Sequence, residues 1–275
     1  LYLAAAAARL PLDARWGILE GIATHDDDAD DHNLPLMVWY AAEPLVDPDA
    51  SRALALAMNS PIPQLLEFTV RRIASSDSEQ ALATLVEGLN QTEAEERAQL
   101  FLTGITSALR GRRQVPMPEG WEDVQERFAD SSHGDVRRQV LALSVTFGDQ
   151  DAMETMHGVL KNDDAARDAR VAALDSLVGA RYDGVLPTVR SLLDEPTLRG
   201  PAIRALAEFS DEAIPADILK RYTELSPAER RDAVNTLAAR PAFALALLEA
   251  LVAKQVPATD VTADVVSQLR NQKDK

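Results

Sequence analysis

Cysteine is missing from all 275 residues, which excludes a disulfide framework, a thiolate nucleophile, a Cys-ligated zinc and a CxxCH-tethered haem within this chain. Aromatic residues make up only 5% and glycines number 12, a poor supply for strands and tight turns. Basic residues are outnumbered, 28 against 44 acidic, for a formal charge of −16. A surface of that sign repels phosphate backbones and anionic lipid, so nucleic acid is not an expected partner. No apolar run approaches the ~18 residues of a membrane span. The opening LYLAAAAARL lacks an initiator Met and a basic leader, so no signal peptide is expected there. The four histidines (His25, His32, His133, His157) have no serine in a GxSxG elbow, and no glycine-rich loop could cradle a phosphate.

What the chain has instead is alanine, leucine and helical spacing. Hydrophobic residues reach 46%, and a chain of this length is either two domains or one array that grows by adding units. In LDARWGILEGIATH, Leu12, Trp16, Leu19 and Ala23 recur at three- and four-residue intervals, the stripe of an amphipathic helix. LPLMVWYAAEPLV, DPDASRALALAMN, PIPQLLEFTVRRIAS, SEQALATLVEGLN and TEAEERAQLFLTGITSALRG follow, each bounded by Pro, Asp, Ser or Gly. Thr92 and Glu95 have the spacing of a capping box. The dense basic cluster, Arg110 to Arg113, sits where a helix C-terminus complements its dipole.

Beyond PMPEG (116 to 120), the expected joint between sub-arrays 1–115 and 116–275, the segments become alike. RQVLALSV from Arg138, RVAALDSL from Arg170, RGPAIRAL from Arg199 and RRDAVNTL from Arg230 superpose with their arginines 32, 29 and 31 residues apart, which aligns Val145, Leu177, Leu206 and Leu237. A second helical segment follows each. A period near 30 with two helices per unit predicts an all-α, right-handed superhelix of antiparallel helix pairs, about eight units long, resembling HEAT and armadillo arrays. Each arginine is expected to pair with an acidic turn of a neighbouring unit and so space the stack.

The stretch HDDDADDHNLPLMVWYAAEPLV, residues 25 to 46, departs from that rhythm. Asp26, Asp28 and Asp30 follow the one-three-five spacing of a calcium loop, yet Asp31 stands where its turn glycine belongs and Met37 where its bidentate Glu belongs. His25 and His32 remain weak candidate ligands for a divalent metal. The plainer expectation is an acidic loop before a helix N-terminus, with Asn33 as N-cap, Pro35 in the first turn, and Trp39 and Tyr40 in the core.

That run, DADDHNLPLMVWYAAEPLV, together with VRRIA (70 to 74) and the closing VTADVVSQLRNQKDK, resembles the HEAT-like middle region of the large planctomycete membrane-bound dehydrogenases, or PVC-type haem-binding proteins. The resemblance implies a segment excised from a longer, exported or periplasmic protein. In that family a β-propeller similar to quinone-dependent sugar dehydrogenases precedes the array, and a cytochrome c module follows it. Haem c, and a quinone or calcium, would then belong to those neighbouring domains, and no cofactor to this segment. The expected function is a non-catalytic scaffold that holds the two domains for electron transfer, with Asp26, Asp28, Asp30, Asp31, His32, Asn33, Trp39, Tyr40 and Glu43 as the docking surface. The alternatives are a free-standing adaptor that binds a protein or peptide on its concave face, and a metal-assisted enzyme centred on His25 and His32.

Overall fold

Helix is the regular element throughout the described residues. The computed structural model describes residues 2–25, 27, 29–76, 78–112 and 115–271; these hold seventeen α-helices and five one-turn 3₁₀ segments, with no strand. None of those helices is long and apolar enough to cross a membrane. The chain divides into two compact units, Leu1–Ala152 and Met153–Lys275. The first holds α1 (Tyr2–Ala7), α2 (Leu12–Ile22), α3 (Leu34–Ala42), α4 (Ala50–Met58), α5 (Pro63–Ala74), α6 (Glu79–Asn90), α7 (Glu95–Leu109), α8 (Trp121–Phe128) and α9 (Gly134–Thr146). The division falls inside α10 (Gln150–Lys161), and the second unit continues with α11 (Arg167–Gly179), α12 (Val185–Ser191), α13 (Arg199–Ala205), α14 (Ile214–Lys220), α15 (Pro227–Ala238), α16 (Pro241–Val252) and α17 (Ala263–Asn271). The Pro116 to Gly120 stretch lies within the first unit, between α7 and α8.

The helix boundaries follow from local chemistry. Proline occupies the first turn of α3, α5, α15 and α16, where its missing N–H costs nothing. Asp49 caps α4 by accepting from the Arg52 N–H, and Ser226 with Glu229 forms a full capping box on α15. The box expected at Thr92 and Glu95 does not form: α7 starts from Ala94, Thr92 Oγ1 donates back to the Gly88 carbonyl, and Glu95 faces Ser131 and His133. At the end of α9, Gly148 takes φ +85 and the Asp149 N–H reaches back to the Ser144 carbonyl, a Schellman stop. Arg181 and Lys254 adopt the same left-handed turn after α11 and α16.

Within each unit the odd helices pack on odd helices and the even on even. In the first, α1, α3, α5, α7 and α9 touch in sequence, and α4, α6 and α8 do likewise; in the second, α11, α13, α15 and α17 form one row, and α14 meets α16. The four aligned apolar positions, Val145, Leu177, Leu206 and Leu237, are all fully buried. In the first unit one continuous core runs from Ala4 through Leu19, Leu66, Leu85 and Phe101 to Phe147.

Helices α5 and α7 approach closely in that core at Gly104. A Cβ built on Gly104 would lie 2.8 Å from the Glu67 carbonyl oxygen and from Val70 Cγ1, and the first of these is backbone that cannot swing away. Gly104→Ala is therefore expected to cost about 1–3 kcal/mol by prying the two helices apart, despite its better helix propensity. Urea denaturation followed by tryptophan fluorescence reads this cleanly, because all three tryptophans (Trp16, Trp39, Trp121) belong to the first unit.

Arginine closes the helix ends. The last carbonyls of a helix have no partner of their own, and here guanidinium groups from other segments supply it. Arg15 donates to the Ala8, Leu10 and Ala41 carbonyls, Arg97 to Ala57, Met58 and Ser60, and Arg127 to Leu89, Asn90 and Thr92. In the second unit Arg170 Nε donates to Leu160 O at 2.9 Å, Arg199 Nε to Leu193 O at 2.7 Å, and Arg230 Nε to Leu225 O at 3.0 Å. Each of these three arginines holds a backbone carbonyl, and in two of them the expected pairing with an acidic turn stands beside it. Arg230 lies 3.8 Å from Asp260. Arg170 also meets Glu195 and Asp163. Arg138 is the exception: it is exposed and pairs with Asp135 on its own helix.

Candidate functional site: the acidic loop and the helix it caps

Asp31 ties the end of the loop between α2 and α3 to the helix that follows. Asp31 Oδ1 accepts from the backbone N–H groups of Asn33 and Leu34, both at 2.8 Å. Those two hydrogen bonds hold its carboxyl below the ordinary Asp range, with a smaller contribution from His32 and against a small opposing effect of burial. Asn33 does occupy the N-cap position of α3, but its side chain makes no capping bond. The cap is thus moved two residues upstream, where a charged acceptor also meets the positive end of the helix.

Around that cap the candidate residues separate. His25, Asp30, Asp31, His32 and Asn33 are exposed, while Asp26 and Asp28 lie outside the described residues. Trp39 is buried at 7% exposure, edge-on to Phe68 with ring centroids 5.8 Å apart, so it ties α3 to α5. Tyr40 is 59% exposed and is not a core residue. One helical step from Trp39, on the outer side of α3, it lies near Leu36, which is 37% exposed. Glu43 accepts from Arg72 Nε at 3.3 Å, and the same guanidinium holds Asp47 at 2.7 Å. Among the described docking candidates, Trp39 serves packing, Glu43 pairs with Arg72, Asp31 serves the cap, and Tyr40, Asp30 and His32 face solvent. Among the described residues no group of three or more His, Asp or Glu side chains comes together to hold a metal ion.

Two polar clusters escaped the sequence reading. At the start of α7, Glu95 accepts from Ser131 Oγ at 2.8 Å and meets His133 Nδ1, joining α7 to the turn before α9. The Ser131 hydroxyl, followed by His133, holds the Glu95 carboxyl low against a partial opposing effect of burial. The pair is 38 residues apart, with no spacing rule to announce it. In the second unit His157 Nε2 lies 2.7 Å from Thr188 Oγ1 and stands edge-on to Tyr182 at 5.4 Å. Burial first, and the Lys161 charge second, push His157 below the usual histidine range.

That shift fixes a direction. A histidine held neutral by the fold binds its proton more readily when unfolded, so its stabilising contribution is complete above the unfolded value of about 6.5 and is lost as pH falls through the lower folded value. Amide protection factors in α12, with the intrinsic pH dependence of exchange divided out, are expected to fall on acidification below about pH 6. His157→Gln, which keeps an acceptor for Thr188 but cannot be protonated, is expected to remove that step.

The described fold belongs to the all-α class, with an acidic loop capping one of its early helices. Comparison with protein-family models, with curated proteins and with solved structures gives no match to this chain.

Proposed function

We propose that this chain is a HEAT-like α-solenoid and serves as a non-catalytic scaffold within a larger exported redox protein, setting the separation of a propeller dehydrogenase domain and a cytochrome c module. The observation that carries the reading is the odd-on-odd, even-on-even packing inside each unit, in which bonds recur between segments 33 to 37 residues apart. Ser60 reaches Ala23 across 37 residues, Arg97 reaches Ser60 across 37, Arg127 reaches Asn90 across 37, Gln139 reaches Thr103 across 36, and Arg240 reaches Ala207 across 33. Bonds of this kind are what a stacked array needs, because no helix pair buries its apolar stripe alone. The redox parent rests on the resemblance of the HNLPLM run with Trp39, Tyr40 and Glu43.

Charge supports a docking role for the first unit. It holds 12 arginines against 25 Asp and Glu, a balance of −13, whereas the second holds 16 basic against 19 acidic residues, a balance of −3. A basic partner domain would be steered to the acidic unit. The coding sequence on either side of this segment tests the assignment. Propeller strands upstream and a CxxCH site downstream are the expected finding, and a reading frame with neither would contradict it.

A further inference from the structure

We draw no further inference here: the strongest candidate, the cleft of about 270 Å³ between the first turn of α6 and the loop after α7, is lined by Arg112, Glu79 and Glu119 beside the buried Leu82 and Val115, and nothing in the structure shows which chemistry of ligand it would take.

Discussion

Trp121→Ala is expected to destabilise the first unit by about 3–5 kcal/mol, because this one side chain supplies both core packing and a buried hydrogen bond. Trp121 is fully buried at the start of α8, its indole N–H donates to Ser144 Oγ at 2.9 Å, and its ring stands edge-on to Phe147 at 4.9 Å. Truncation removes the ring contacts, leaves a cavity and strips a buried hydroxyl of a partner. Ser144 keeps its own donation to the Val140 carbonyl, so α9 stays formed while its packing on α8 loosens. Trp121→Phe retains most of the volume and loses the hydrogen bond, for which about 1–2 kcal/mol is expected. Urea midpoints read from Trp16 and Trp39 fluorescence separate the two variants, and equal losses would mean that the hydrogen bond outweighs the cavity.

Arg170→Met is expected to cost the second unit about 3 kcal/mol. The Arg170 side chain is only 7% exposed, donates from Nε to the Leu160 carbonyl and grips Glu195 at 2.9 Å. Removing it takes the Arg170 donor from the Leu160 carbonyl near the end of α10 and the counter-charge from Glu195. Methionine fills much of the volume, so the loss reports the polar contacts rather than a void. Arg138→Met is the control, because that side chain is 65% exposed and paired only with Asp135; a change within about 0.5 kcal/mol is expected there. Amide exchange of the α11 and α12 protons measures the first effect, since tryptophan fluorescence does not report on this unit. Equal costs at Arg138 and Arg170 would show that the aligned arginines act through surface charge and not as clamps on helix ends.

The contrast between those two arginines shows what the sequence could and could not disclose. Period and apolar spacing announced the helices and aligned Val145, Leu177, Leu206 and Leu237, which the structure buries, because burial of a stripe is written in every turn of a helix. The arginine spacing was equally visible, but a one-letter code shows side-chain partners and hides backbone ones. Beside the acidic partners of Arg170 and Arg230 stands an acceptor that every residue possesses, a backbone carbonyl left orphaned by helix geometry. The acidic loop failed in a related way. Asn33 has the right chemistry and position for a cap, yet Asp31 reaches the same N–H groups with a charged oxygen, a competition settled by loop geometry. Tyr40 was misplaced for a different reason: in LPLMVWYAA every residue is apolar, so periodicity carried no information about which side faces out. Glu95 with Ser131 and His133 depends on how α7 meets the turn before α9, which no local pattern encodes.

Radius of gyration by small-angle scattering, measured on the monomer at low concentration, bears most directly on the proposed array. A compact 275-residue globule has a radius of gyration of about 19 Å. An array that stacks its helix pairs in sequence is expected to exceed about 23 Å and to show a skewed, extended distance distribution. A value near 19 Å with a symmetric distribution would contradict the account.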